Sequence, residues 1–289
     1  MNPLDADPVA LAPARPQTAQ AELEFACDAN GVTYVHRQRV GYPFHVGRSL
    51  KMSGDPPGMP TVYLQSCSGG IFEGDSLRLH IAAGEGAAAH VATAASTVVH
   101  SMASQAASQQ VELHAHAGSF LEYLPDPVIL FPGAKLTSGA RVSVHPGATV
   151  ILGDSLLLHD PKGGDGRFDW LQSDTVIEDA AGKLLARDRF RIEGVQLTRG
   201  LAGITGSWKA QGSLFVVTSA KPQAELVAAM RVALVSAGVY AGATILPNQS
   251  GAWTRILATD ADALKAALFS AWTAVRHILT GAAPMPRRK

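Results

Sequence analysis

Residues 65–79 read Gln-Ser-Cys-Ser-Gly-Gly-Ile-Phe-Glu-Gly-Asp-Ser-Leu-Arg-Leu, and the rest of the chain can be interpreted outward from this stretch. The apolar segment before it, Thr61–Leu64, is typical of a strand, and residues 76–81 alternate polar with apolar side chains, which favours a strand with one inward face. The closely spaced glycines suit a backbone that adopts a positive φ or that another segment approaches. The stretch therefore predicts a shaped turn that carries Glu73 and Asp75 between two strands.

A loose repeat follows this turn and indicates the fold class. Its strand–turn–strand units join Leu77–Ile81 to Ala87–Ala92, Val111–Ala115 to Phe120–Leu124, and Arg141–Val144 to Thr149–Leu152. The turn glycines Gly86, Gly118 and Gly147 are 32 and 29 residues apart, a spacing found in repeated β architectures, and the turns are as short as those of hairpins. We predict stacked β layers in a β-helix-like arrangement, with an ordinary β-sandwich as the alternative.

The C-terminal quarter of the chain changes from strand-like to helical spacing. Two segments, at about 222–237 and 260–280, place apolar side chains on one face every three or four residues. Pro222 stands near the start of the first segment, and Thr259 or Asp260 can cap the second. The predicted fold class is therefore mainly β, with two α-helices in the C-terminal region.

Composition limits the class of protein and its compartment. Hydrophobic residues make up 47% of the chain, charged residues 17%, and the formal net charge is zero, so neither nucleic acid nor a membrane is expected as a partner. Two cysteines are too few for a disulfide framework or a four-cysteine zinc site, and no secretory signal or membrane span is recognised, so a cytoplasmic location is expected. We predict a disordered tail (1–20), one β-rich domain (21–281) and a basic tail (282–289).

The tetrapeptide Gly-Asp-Ser-Leu occurs twice, at residues 74–77 and 153–156, and invites comparison with serine esterases. Such an enzyme would use Ser76 or Ser155 as its nucleophile, with a histidine base oriented by a carboxylate. The Asp-x-x-His sequence that usually supplies these groups is absent, and both serines fall in strand-like segments. A hydrolase of this kind therefore remains an alternative. No phosphate-binding Gly-x-x-x-x-Gly-Lys-Ser/Thr loop occurs either.

Histidines and carboxylates raise the question of a metal. The ten histidines do not form a tight zinc-ligand pattern, but imidazole and carboxylate groups suit weak, transient contacts with nickel. Glu73, Asp75, Glu122 and Asp154 stand beside turns or at strand ends among apolar neighbours. A carboxylate drawn into a β interior is costly unless it is paired, hydrated or facing a water-filled passage. Turn capping is the alternative role for each.

Four segments of the sequence are similar to one known family. The block Gly69-Gly70-Ile71-x-x-Gly74-Asp75-x-Leu77 resembles a signature of the urease accessory proteins UreD, called UreH in some organisms. Thr93–Thr97 resembles the family's Thr-rich stretch. The two later blocks, at 120–134 and 185–194, also resemble the family's pattern, and their matching residues are Glu122, Leu124, Pro125, Phe131, Arg187, Asp188 and Arg189. The blocks follow the family's order over about residues 40–195.

This resemblance implies a scaffold rather than an enzyme. UreD-like proteins serve in nickel insertion into apo-urease, in complex with UreF and the GTPase UreG, so nickel would pass transiently and no cofactor would be tightly bound. By analogy, Asp75 and Glu122, followed by Glu73 and His100, are the first candidates for contact with nickel in a passage.

The chain departs from the family's pattern at three places: Ser66–Ser68, Val98–Ser101 and His159–Pro161. Any role carried in the family by the side chains that these residues replace is not transferred to this chain. A β-rich interaction module unrelated to nickel remains a further alternative.

Overall fold

The computed structural model describes residues 20–202, 205–235 and 237–286. The predicted N-terminal tail lies, except for Gln20, outside the described residues, and so do residues 287–289 of the predicted basic tail. The strands are β1 (Ala21–Cys27), β2 (Thr33–Val40), β3 (Phe44–Val46), β4 (Thr61–Ser66), β5 (Ser76–Ala83), β6 (Ala88–Thr93), β7 (Thr97–Val99), β8 (Ala107–Ala115), β9 (Phe120–Tyr123), β10 (Val128–Leu130), β11 (Lys135–Val144), β12 (Thr149–Leu158), β13 (Trp170–Asp179), β14 (Leu184–Glu193), β15 (Ala210–Val217), β16 (Tyr240–Ile245) and β17 (Gly251–Ala258). The helices are α1 (Gly194–Thr198), α2 (Gln223–Val235) and α3 (Ala261–Thr280).

The chain coils between two sheets, as the repeat predicts. The first sheet has the order β14-β13-β11-β8-β5-β1-β2, and the second has β16-β17-β15-β12-β9-β6-β4-β3. Within the coil, β5, β8, β11 and β13 are parallel neighbours in the first sheet, while β4, β6, β9 and β12 are parallel neighbours in the second. The predicted stacked β layers are confirmed, and the arrangement is solenoid-like.

The register explains the spacing of the turn glycines. Ser76 pairs with Ser108, 32 residues later, and Val111 pairs with Ala140, 29 residues later. The comparison with hairpins is wrong in one respect, because the two strands of each predicted unit lie in opposite sheets and do not pair with each other. Each glycine turn is a corner of the coil, and successive corners stack: Gly86 N–H donates to the carbonyl of Ala117 at 3.0 Å.

Antiparallel strands and helices complete both ends of the coil. Strands β15, β17 and β16 extend the second sheet, and α2 and α3 pack on their outer face. Every residue of β15 is buried, because the first sheet covers one side of it and the helices the other. The two predicted helices are present, and Asp260 caps α3 by accepting a hydrogen bond from the amide of Ala263 at 2.9 Å.

The described residues form three apolar clusters. One fills the space between the sheets with inward side chains such as Leu79 and Val142. A second lies between the second sheet and the helices, with Met230 among its members, and a third includes Ile71 and Leu136. Hydrophobic contact with the sheet, more than helix propensity, holds α2 and α3 in place. Among the described residues, no helix combines the length and apolar character needed to cross a bilayer.

Candidate functional site

A cavity of about 460 Å³ lies between the two sheets and is the candidate site. Strand alternation places polar side chains at inward positions here, where the neighbouring layers of the coil carry leucine, valine and isoleucine. Gln109, Ser138 and Ser173 are register partners on β8, β11 and β13, so they form one polar layer of the first sheet across the cavity. An interior layer of this kind requires hydrogen-bond partners or water.

Asp154 faces this polar layer from β12 of the second sheet. Its Oδ2 accepts a hydrogen bond from Ser173 Oγ at 3.3 Å. Burial raises the pKa of Asp154 above its usual value, and the negative charge of Asp188 acts in the same direction. Burial, together with the charge of Asp154, also raises the pKa of the neighbouring Tyr123 hydroxyl. An arriving cation would stabilise the ionised form of Asp154, so this carboxyl can exchange a proton for a cation.

A cross-sheet ion pair adjoins Asp154. Asp188 on β14 binds the guanidinium of Arg255 on β17, and both groups act on the ionisation of Asp154. The Arg255 guanidinium carbon lies 5.0 Å from the ring centroids of both Phe190 and Trp253, so the cation is also held by aromatic faces. A buried carboxylate, Asp154, thus lies beside a partly buried ion pair.

The glycine-rich turn and the stretch 93–98 border the cavity. Gly70 has a φ of 145°, and a Cβ at this position would lie 2.5 Å from the carbonyl oxygen of Val98. The amide of Ile71 donates to that same oxygen at 2.8 Å, so the turn packs directly against β7. The predicted close approach of another segment is confirmed, and it requires glycine at position 70.

Glu73 and Asp75 hold the turn itself, and neither lines the cavity. Asp75 Oδ2 accepts a hydrogen bond from the amide of Phe72 at 2.8 Å. Glu73 accepts hydrogen bonds from the amides of residues 103–105 at 3.1, 2.7 and 2.6 Å, and from Ser104 Oγ at 2.7 Å. The amide of Gln105, with the Ser104 donors, lowers the pKa of Glu73 to about 2. In the structure both carboxylates therefore make turn-capping contacts.

His100 lies beside the turn and also outside the cavity lining. Its ring stacks on Phe72 with centroids 4.3 Å apart and planes 5° apart, and its Nε2 lies 3.2 Å from the carbonyl oxygen of Gly69. Phe131 contacts the same ring edge-on, with centroids 5.6 Å apart. His100 thus packs the glycine turn against the rest of the coil.

Glu122 lies on the opposite face of β9 from the cavity. Its neighbours Leu121 and Tyr123 point between the sheets, so alternation directs Glu122 towards α3, where it is fully buried. Glu122 accepts a hydrogen bond from Trp272 Nε1 at 2.8 Å, and its Oε2 lies 2.8 Å from His90 Nδ1. Arg276 Nε lies 3.5 Å from Oε1. The carboxylate therefore anchors the C-terminal helix to the coil.

The profile of the family described as UreD urease accessory protein matches residues 17–289. The chain belongs to the UreD family. It is 47% identical to urease accessory protein UreD 1 of Pseudomonas syringae pv. syringae over 270 residues, which cover 93% of this chain and 95% of that protein. It is 40% identical to urease accessory protein UreD 1 of Methylorubrum populi over 293 residues, which cover 99% of both chains.

The blocks that resemble UreD occupy different parts of this structure. Gly69 and Gly70 of the first block border the cavity, as do the Thr-rich stretch and Pro125, and Asp188 pairs with Arg255 next to Asp154. Gly74, Asp75 and Glu122 do not line the cavity. Arg187 and Arg189 bind Asp174 on the outer face of the first sheet, with closest distances of 2.6 and 2.8 Å.

Sequence reasoning missed the polar layer and Arg255. The available signal was strand parity: in β8, Gln109 occupies the same face as the buried residues Val111 and Leu113. The sequence predicts Asp154 beside a strand end, whereas the structure places it within β12 and in the cavity wall. The nickel contacts predicted at Asp75, Glu122, Glu73 and His100 stay predictions, and none of these four residues lines the cavity.

The serines of the two Gly-Asp-Ser-Leu segments lack the setting of a nucleophile. Ser76 Oγ accepts a hydrogen bond from Ser108 Oγ at 3.2 Å, and Ser155 is buried in β12. Among the hydrogen bonds of the described residues, none joins either serine to a histidine. This geometry does not favour the hydrolase alternative.

Proposed function

We propose that this chain is a urease accessory scaffold without catalytic activity, required for nickel insertion into apo-urease in the cytoplasm. It acts in complex with UreF and UreG and passes nickel to urease as cargo. Family membership supports a role in urease maturation, because the curated relatives are named urease accessory proteins. With no nucleotide-binding loop in the sequence, hydrolysis that powers delivery is assigned to a partner.

The polar cavity is the observation that carries the nickel step. Apolar side chains would fill the interior of a coil more stably, so a layer built from Gln109, Ser138, Ser173 and Asp154 needs a functional reason. Oxygen and imidazole donors suit nickel, and neutral donors with one carboxyl bind it weakly enough for release. We infer that Asp154 is the principal contact of a hydrated nickel ion in this cavity.

In the proposed step, nickel binding in the cavity is coupled to loss of the proton from Asp154. Its raised pKa favours the protonated form while the cavity holds no cation. A nickel ion entering the cavity displaces this proton, and re-protonation as the ion leaves returns the carboxyl to its resting state. The Arg255 guanidinium nearby limits the net negative charge, which keeps the binding of the ion transient.

The test is the nickel content of urease in the native host with this gene deleted. We expect normal amounts of urease protein that lacks nickel and activity, and restoration of both by the wild-type gene. Fully loaded urease in the deletion strain, with no second copy of the gene able to replace it, would contradict the proposal. Co-purification of UreF and UreG with the chain tests the partners separately.

A further inference from the structure

The outer face of the first sheet carries a cluster of His80, Glu112 and His114, on the opposite side of the same strands from the cavity. His80 on β5 is the register partner of Glu112 on β8, and His114 follows Glu112 by two residues on the same face. Parallel strands lie about 4.8 Å apart, so this register brings the three side chains together.

One potential ligand atom from each of the three side chains lies within 4.8 Å of the other two. His80 Nδ1 is 3.7 Å from Glu112 Oε2, and the ring centroids of His80 and His114 are 4.9 Å apart. Ligands at about 2.1 Å on a tetrahedral ion are about 3.4 Å from one another. Small side-chain rotations therefore convert the cluster into three ligands of a single ion.

The charged register neighbours Arg141 and Glu22 have partners of their own, while the charge of Arg78 on β5 acts on Glu112. Arg141 is the register partner of Glu112 on the other side, but its guanidinium binds Glu178 at 2.6 Å. Glu22, next to His80 on β1, is engaged by Arg39 at 3.3 Å. Glu112 is therefore the carboxylate that faces the two imidazoles, and its half-exposed side chain opens the site to solvent.

We propose that His80, Glu112 and His114 form a surface site for a divalent transition-metal ion, zinc or nickel. Two imidazoles and one carboxylate, with the fourth position open to water, are a donor set that these ions accept. Magnesium and calcium prefer oxygen ligands throughout and are excluded by the same donors. The site is separate from the cavity and does not depend on the proposed role of Asp154.

The test is metal binding to the untagged full-length chain, measured by calorimetry with ZnCl₂, NiCl₂ and MgCl₂ in separate arms. We expect the cluster to bind one equivalent of zinc or nickel, in addition to any weak binding of nickel in the cavity, and magnesium not to bind at the cluster. His80→Ala, His114→Ala and Glu112→Gln should each weaken binding by about 100-fold or more, since even loss of an outer-shell partner costs about 10–100-fold. Circular dichroism checks that each variant is folded, and Glu112→Gln preserves the shape of the side chain.

Two control variants locate the ion. His36→Ala removes an exposed histidine from β2 of the same sheet and should leave binding unchanged. His116 lies 4.9 Å from His145, ring centroid to ring centroid, next to the cluster, and His116→Ala should weaken binding far less than His114→Ala. Equal affinity in the wild type and the three cluster variants, no binding by the wild type, or an equal loss in His116→Ala would overturn the assignment.

Discussion

Replacement of Glu122 by alanine is expected to destabilise the fold through the C-terminal helix. The side chain is fully buried, and it is contacted by His90 from the coil and by Trp272 and Arg276 from α3. Without the carboxylate, the indole N–H loses its acceptor and the buried guanidinium loses one of its two negative partners. The other partner, Asp55, stays in place with Oδ1 at 2.8 Å from Arg276.

The magnitude follows from these contacts. Removing one partner of a buried ion pair typically costs about 3–5 kcal/mol, because the remaining charge stays buried and unpaired. Arg276 keeps Asp55, so we expect the lower end, about 3 kcal/mol. At about 2 °C per kcal/mol for a chain of this size, the Tm should fall by about 6 °C.

Thermal unfolding followed by circular dichroism measures the effect. Glu122→Gln keeps a carbonyl acceptor for Trp272 and should lose less stability than Glu122→Ala. Glu85 is exposed at a corner of the coil, and Glu85→Ala should change the free energy of unfolding by no more than about 0.5 kcal/mol. An unchanged Tm in Glu122→Ala would refute the anchoring role.

Three further predictions concern the turn and the cavity. Glu73→Ala should expose the 103–105 segment to limited proteolysis, and equal cleavage of both proteins at neutral pH would contradict this. In the wild type the protection should persist above pH 4.5 and disappear as the pH falls through about 2, because the pKa of Glu73 is lowered from 4.5 to about 2 in the folded state. Asp154→Asn should raise the Tm at neutral pH and leave it nearly unchanged in acid. Burial raises the pKa of Asp154, so ionisation of this carboxyl opposes folding as the pH rises. A lower Tm of the variant at neutral pH would contradict this prediction. Gly70→Ala should lower the free energy of unfolding, measured by denaturant titration, by about 2 kcal/mol or more. The added Cβ would lie 2.5 Å from the Val98 carbonyl oxygen, and the φ of 145° at this position is strained for alanine. Wild-type stability of the variant would contradict the packing described.

Most of the coil could be predicted from the sequence because its turns repeat. The corner glycines impose positive φ at regular intervals, and alternation within β5, β8 and β11 shows which face is buried. The sequence does not show whether a short turn joins strands of two different sheets or two paired strands of a hairpin, because both kinds of turn need glycine. Strands β16 and β17 are not predicted from the sequence. In β17 (Gly251–Ala258) both faces carry apolar residues, because one face packs on the helices and the other faces the first sheet, so the alternation typical of a strand is weak.

The candidate site was less predictable because it depends on which strands become neighbours. The sequence points to Asp154 but not to Ser173, and their contact arises from the packing of β12 against β13 across the interior. Glu122 shows the reverse case. The sequence predicts Glu122 as a site residue beside a buried strand end. Successive side chains of a strand point to opposite faces, and in β9 this alternation directs Glu122 towards α3 instead of the cavity.

Nickel per urease, measured in deletion cells that carry cavity variants, tests the proposed passage most directly. Asp154→Asn removes the carboxyl, and Ser138→Leu fills the polar layer from β11. Ser143→Leu is the matched control, because it places the same side chain on the outer face of the same strand. With equal amounts of each variant in the cells, the account predicts urease depleted of nickel for both cavity variants and normal loading for the control. Normal loading with both cavity variants would contradict a nickel path through this cavity.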